Sequence, residues 1–229
     1  MIPRPAAPLI VALDVSDLDR AEELAALLAP HVAMMKVGLE LFTAFGPTAV
    51  ARVARHASVF LDLKLHDIPN TVERTASTIA RMGVSMFTIH ALGGPSMIEA
   101  AVRGAARGAV DSSHSMTAPV VLAVTVLSSQ SGEELASPVS LAFEAKAAGA
   151  TGVVVSGDDV EDVREVCGEE FCLVVPGIRP SGSNGDDQVR ILTPLAAQEK
   201  GADYLVIGRP IIESPDPPAA ARSILLELL

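Results

Sequence analysis

Val59-Phe60-Leu61-Asp62-Leu63-Lys64-Leu65-His66-Asp67-Ile68-Pro69-Asn70-Thr71 opens as an apolar strand and closes in a packed run of charges. Successive strand side chains point to opposite faces, so Asp62 and Lys64 share a face with Phe60, and Leu61, Leu63 and Leu65 share the other. A carboxylate and an ammonium inside a buried strand are expensive to desolvate unless they pair. Asp67 adds a second carboxylate where the strand should end. Helical spacing then runs over Asn70–Met82 and stops at Gly83. The stretch is one strand-then-helix unit with its charges at the junction.

The same unit recurs from end to end. Strand patterns fall at Leu9–Val15, Val32–Val37, Val59–Leu65, Ser85–His90, Val120–Val126, Gly152–Val155, Cys172–Val175 and Tyr204–Ile207. Helical patterns alternate with them: Leu18–Leu28 with Ser16 or Asp17 as cap, a helix from Glu40 interrupted or restarted at Gly46-Pro47, Asn70–Met82, and Ser96–Arg107. Pro138–Ala148, Val160–Val166, Thr193–Lys200 and Pro218–Leu229 complete the series, with Pro suiting a first helical turn. Eight such units predict an α/β fold, a (β/α)8 (TIM) barrel forming a single domain over residues 1–229. A doubly wound open sheet is the alternative, and the position of the polar residues argues against it.

A chain of 229 residues, 49% of them hydrophobic, can bury one sizeable core. Its formal charge of −11, with no Lys/Arg cluster, argues against a nucleic-acid surface but leaves room for a local anion pocket. Cys167 and Cys172 form neither a disulfide framework nor a metal-ligand pattern, which predicts two reduced thiols. The first strand begins near Leu9 without a charged-then-apolar leader, and no apolar run is long enough for a bilayer. The expectation is a soluble cytoplasmic protein.

A barrel of this kind keeps its chemistry at the C-terminal ends of its strands. Asp14 ends the first strand, Lys36 the second, Asp62 with Lys64 the third and His90 the fourth. Thr125 and Ser128 follow the fifth, Pro176-Gly177 the seventh and Gly208-Arg209 the eighth. Singly, Asp14 reads equally as a helix cap, Lys36 as a solvated lysine, His90 as a satisfied core histidine and Ser128 as a turn residue. Their common rim is better explained by a common site. Ile207-Gly208-Arg209-Pro210 carries a phosphate signal: Gly admits close backbone approach, and Arg presents a planar fork. The loop from Gly177 to Gly185, ending near Gln188, supplies a second guanidinium, Arg179, on a segment able to close over a ligand. No Walker loop, dinucleotide glycine fingerprint or His-Glu-x-x-His spacing occurs, so neither ATP, NAD nor a zinc-type metal site is indicated.

These residues resemble the orotidine 5′-monophosphate decarboxylase family, in its bacterial form. Asp62-x-Lys64-x-x-Asp67-Ile68-Pro69-Asn70-Thr71 resembles the family signature. Leu13-Asp14-Val15, Lys36-Val37-Gly38, Thr125-Val126-Leu127-Ser128, Pro176-Gly177-Ile178-Arg179-Pro180 and Ile207-Gly208-Arg209-Pro210 follow in family order over nearly the whole chain. The Asp-x-Lys-x-x-Asp core is shared with sugar-phosphate decarboxylases and aldolase-like synthases, and the His66–Thr71 extension is the more specific part. Ser128 stands where many relatives carry Thr, and the hydroxyl is kept.

The resemblance implies a cofactor-free carboxy-lyase acting as a homodimer on orotidine 5′-monophosphate, releasing UMP. It implies Lys64 as proton donor to C6 and Asp62 beside the departing carboxylate. Asp67, Ile68 and Thr71 would reach into the partner subunit's site. Lys36 and Asp14 would hold the ribose hydroxyls and the charge network, and Ser128 would contact the base. Pro176 lies in the substrate-binding set, while Gln188, Arg179, Gly208 and Arg209 would hold the phosphate. The rivals are a metal-dependent sugar-phosphate decarboxylase or hexulose-phosphate synthase on the same scaffold, and a non-catalytic nucleotide-phosphate-binding barrel. His90, Cys167 and Cys172 have no assigned role.

Overall fold

The computed structural model describes residues 8–111, 117–126, 136–180 and 192–228. Eight parallel strands close on themselves in chain order: β1 (Leu9–Ala12), β2 (Met34–Gly38), β3 (Val59–Leu65), β4 (Met86–His90), β5 (Val120–Val124), β6 (Gly152–Val154), β7 (Cys172–Pro176) and β8 (Tyr204–Ile207). Pairing of Leu9 with Leu205, Ile10 with Val206 and Val11 with Ile207 joins β1 to β8 and seals the barrel. Closure removes every free sheet edge. The open doubly wound alternative is thereby excluded.

Helices cover the cylinder: α1 (Leu18–Leu28), α2 (Leu39–Phe45), α3 (Pro47–Val53), α4 (Pro69–Arg81), α5 (Gly94–Val110), α6 (Pro138–Ala147), α7 (Val160–Cys167), α8 (Pro194–Glu199), α9 (Arg209–Ile212) and α10 (Pro217–Leu226). The second helical pattern does break in two, at Gly46, whose φ of 57° lies in the left-handed region that glycine tolerates. Asp17 rather than Ser16 caps α1, accepting the Arg20 backbone N–H at 2.7 Å.

Strand alternation divides the core in two. Ile10, Ala12, Met34, Phe60, Met86, Leu122, Val174, Tyr204 and Val206 fill the barrel interior. Leu9, Val11, Met35, Val37, Leu61, Phe87 and their equivalents pack outward against the helices, with Leu63 and Leu65 beside them. β3 and β8 have the bounds expected from sequence. β1 ends at Ala12 rather than Val15, and β5 at Val124 rather than Val126. Apolar character continues past these points because the following residues still pack on the core, but the ladder has ended.

α4 and α5 touch backbone to backbone. A Cβ on Gly104 would lie 2.1 Å from the Glu73 carbonyl oxygen, and one on Gly108 would lie 2.2 Å from that of Ser77. Arg107 and Arg103 add ion pairs to Glu73 at 2.9 and 3.3 Å. The charged segment between β3 and α4 is thus anchored to a rigid pair of helices.

Candidate active site

Parity along each strand determines which polar groups meet at the barrel mouth. Asp14 lies two residues beyond inward-facing Ala12, Lys36 two beyond Met34, and Asp62 two beyond Phe60. Thr88 and His90 continue the inward row that Met86 begins on β4. The register sets Ala12 beside Lys36 and Gly38 beside Asp62, which brings the three strand ends together.

The result is a line of alternating charge. Lys36 Nζ donates to Asp14 Oδ1 at 3.0 Å and sits 3.7 Å from Asp62 Oδ2. Lys64 Nζ reaches both Asp62 oxygens at 2.8 Å. The side chains of Lys36 and Asp62 are only 11% and 13% exposed, so their contact is weakly screened compared with a surface pair, whereas Asp14 is 54% exposed and open to solvent. Space around Lys36 is tight: a Cβ at Gly38 would lie 3.1 Å from its Nζ and 3.3 Å from Asp14 Oδ1. Asp14, Lys36, Asp62 and Lys64 were all read from the sequence, and the fold brings all four together.

Lys64 has a backbone φ of 51°, the one positive value for a non-glycine residue among the described residues. A bulky residue in this region costs on the order of 1–3 kcal/mol. The cause lies in the ladder. From Leu61 to Leu65, β3 advances four residues while β4 advances two, from Phe87 to Ile89. Within this bulge the Lys64 N–H donates to the Thr88 hydroxyl at 2.8 Å, and that hydroxyl donates to Asp62 Oδ1 at 2.9 Å. Thr88 is 1% exposed. Sequence reasoning missed it, although an inward-facing hydroxyl between Phe87 and Ile89 was visible as a polar break in an apolar strand.

Asp67 stands apart from the array. Its Oδ1 accepts the Ile68 N–H at 2.7 Å, and the exposed carboxylate has no ion pair among the described residues of its own chain. Ile68 is 65% exposed and Thr71 also faces outward. At the β1 end of the array, Gly208 comes close: a Cβ there would lie 3.6 Å from Asp14 Oδ2. Arg209 is exposed at the start of α9. Pro176 closes β7, and Arg179 follows it half-buried, its backbone N–H bonded to the Leu192 carbonyl at 3.1 Å. Ser128 and Gln188 lie outside the described residues.

His90 sits at the end of β4 with its ring centroid 5.5 Å from that of His66. Its Nδ1 is buried without a hydrogen-bond partner among the described residues. Burial holds its imidazole below the ordinary histidine value; His66 and Lys64 act in the same direction and Asp62 opposes them. Thr125 is tied into the sheet, its hydroxyl donating to the Val154 carbonyl at 3.2 Å. Cys167 and Cys172 are buried free thiols away from this rim. Such a site presents fixed ammonium groups to an anion and can deliver a proton from Lys64 Nζ.

The chain matches the model of the orotidine 5'-phosphate decarboxylase / HUMPS family over residues 7–224. It belongs to this family. Among curated family members, the orotidine 5'-phosphate decarboxylase of Moorella thermoacetica is 47% identical, over 96% of this chain and 91% of the relative. That of Geotalea daltonii is 45% identical, over 97% of this chain and 96% of the relative. Among solved structures, the orotidine 5'-phosphate decarboxylase of Lactobacillus acidophilus superposes with a TM-score of 0.82 at 38% identity, covering 97% of this chain and 99% of that one. The Lactobacillus acidophilus protein thus shares this fold along almost its full length.

Proposed function

We propose that this protein is a carboxy-lyase that converts orotidine 5′-monophosphate to UMP in pyrimidine biosynthesis, without a cofactor. The Asp14–Lys36–Asp62–Lys64 array, in a chain of this family, is the observation that carries the reading. The bond between C6 and the carboxylate carbon breaks, CO2 departs, and the electron pair stays on C6. Lys64 Nζ is the counter-charge to that pair and gives it a proton, yielding the C6–H of UMP.

Asp62 would face the departing carboxylate. Unit charges of like sign about 4 Å apart at an effective dielectric of about 20 repel by roughly 4 kcal/mol, and the repulsion fades as CO2 leaves. Enzymes lower barriers by roughly 8–23 kcal/mol, so this pair is one contribution among several. Arg179, Gln188, Gly208 and Arg209 would hold the phosphate, Asp14 and Lys36 the ribose, and Ser128 the base, with Pro176 lining the site. Phosphate binding energy, remote from the reacting carbon, would help to close the loop that carries Arg179.

The active unit would be a homodimer, with Asp67, Ile68 and Thr71 completing the neighbouring site. Leu39, Ile68 and Leu92 support this: they follow β2, β3 and β4 in turn and are 55%, 65% and 51% exposed on a single chain. An open hollow of about 260 Å³ between α2 and α4 is lined by Phe42, Leu63, Ile79 and Met82, with Arg74, Thr75 and Thr78 beside them. Cytoplasmic residence accords with buried free thiols, and no helix among the described residues is long and apolar enough to cross a membrane.

The metal-dependent synthase alternative is disfavoured because Asp62, the acid such a cation would need, is already gripped by Lys64 and Lys36. Loss of orotidylate absorbance on mixing with enzyme, undiminished by EDTA, is the expected result. Lys64→Ala should abolish it while UMP still binds. Turnover by Lys64→Ala would remove this lysine from the chemistry, and binding of UMP analogues without turnover by the wild type would favour the non-catalytic barrel.

A further inference from the structure

Thr88 joins Asp62 and Lys64 of the array through one oxygen. Its Oγ1 accepts the Lys64 backbone N–H at 2.8 Å and lies 2.9 Å from Asp62 Oδ1. An N–H can only donate and a hydroxyl has a single proton, so that proton is committed to the Asp62 carboxylate. With Thr88 only 1% exposed, water does not compete for either bond. Both bonds fall inside the β3 bulge, where the β3–β4 register slips between Leu61 and Leu65. The hydroxyl takes the place of a strand partner for Lys64, whose φ of 51° no other described non-glycine residue shares.

We infer that Thr88 is a positioning residue for the decarboxylation. It holds the Lys64 backbone in its left-handed conformation and fixes the Asp62 carboxylate that grips the Lys64 ammonium, without touching the substrate. The inference rests on the decarboxylase reading and extends it to a residue on a different strand. The side-chain bonds of Asp14, Lys36, Asp62 and Lys64 described above run among these four, whereas Thr88 ties two of them to β4. An error of about 1 Å in such a group costs on the order of 100-fold in rate.

The test compares wild type, Thr88→Val and Thr88→Ser with orotidine 5′-monophosphate as substrate and UMP as a binding probe. Thr88→Val keeps the shape and removes the hydroxyl. It should lower kcat by about 10- to 100-fold, the range for a lost hydrogen bond to a charged group. KM and UMP affinity should stay within about threefold, because the phosphate and ribose contacts are intact. Thr88→Ser, which restores the hydroxyl, should recover most of kcat. A role in stability alone would lower Tm and leave kcat of the folded enzyme unchanged.

If Thr88→Val does not fold, Thr88→Cys supplies the comparison, its thiol being similar in size and a weak donor. A kcat loss of about tenfold or more there supports the inference, and wild-type kcat overturns it. An active wild type beside an unimpaired Thr88→Val, or a loss that Thr88→Ser shares in full, overturns the inference alone. A wild type inert toward orotidine 5′-monophosphate overturns the decarboxylase reading, and this inference with it.

Discussion

Arg164 and Asp203 form an ion pair at 2.6 Å on the end of the barrel opposite the charge array, just ahead of β8. The guanidinium also donates to the carbonyls of Gly168 at 2.7 Å, Phe171 at 2.8 Å and Gly201 at 2.7 Å, and Asp203 accepts the Leu173 N–H at 2.8 Å. Both side chains are 9% exposed. One arginine therefore ties the loops that lead into β7 and β8. Removing one member of a buried pair leaves the other uncompensated and costs about 3–5 kcal/mol. Arg164→Ala should lose about that much unfolding free energy in urea, with kcat of the remaining folded enzyme near wild type. A variant as stable as wild type would show the pair to be dispensable.

Asp67 is exposed and makes no ion pair with the array of its own chain among the described residues, and this predicts complementation. Lys64→Ala and Asp67→Ala proteins, each inactive alone, should regain activity when their subunits are exchanged, because a hybrid dimer contains one site with both residues intact. At random mixing about a quarter of the sites would be complete, since each needs two independent wild-type contributions. If mass spectrometry records exchange but the assay records no recovery, the shared-site reading is wrong.

Arg209 begins the short helix after Gly208, close to β1 and Asp14. Arg209→Ala should reduce kcat/KM for orotidine 5′-monophosphate by about 10- to 100-fold, as expected for a lost charge-assisted contact. The phosphate-free nucleoside should be almost unaffected. An equal loss with both substrates would move Arg209 away from the phosphate.

Alkaline pH should weaken the barrel from within. Burial pushes the Cys172 thiol from 9.0 up to about 12, with Asp203 adding to the rise and Arg164 opposing it. Burial likewise raises Tyr204 from 10.0 to about 12, Cys172 and Asp203 contributing. The unfolded chain therefore loses these protons first and binds fewer of them between pH 9.0 and about 12. Stability consequently falls as pH rises through that window. Urea midpoints measured from pH 8 to 11 should decline, and Cys172→Ala should flatten the early part of the decline. A midpoint independent of pH would contradict this account. The same burial should leave Cys172 unreactive toward alkylating reagents in the folded protein.

Much of the fold was legible because alternation and turn residues are local properties. Parity alone puts Leu61, Leu63 and Leu65 on one face and Phe60 on the other, and the packing separates them in that way, the leucines toward the helices and Phe60 inside the barrel. Asp14, Lys36, Asp62 and Lys64 were legible as a rim because a barrel makes strand ends converge. Thr88 shows in the sequence only as a polar break in an apolar strand, and its link to Asp62 and Lys64 stays hidden until the partner strand is known. The left-handed Lys64 was equally hidden, because nothing in Leu63-Lys64-Leu65 carries the glycine or asparagine that normally marks such a conformation.

The excess of residues in β3 over β4 is even, and this has a consequence for the whole sheet. Leu65 returns to the wall that Leu61 occupies, so both leucines pack against the same outer core across the detour. An odd excess would have inverted everything downstream of it. The barrel can therefore carry an irregular, charge-bearing loop within one of its staves and still close as though that stave were regular.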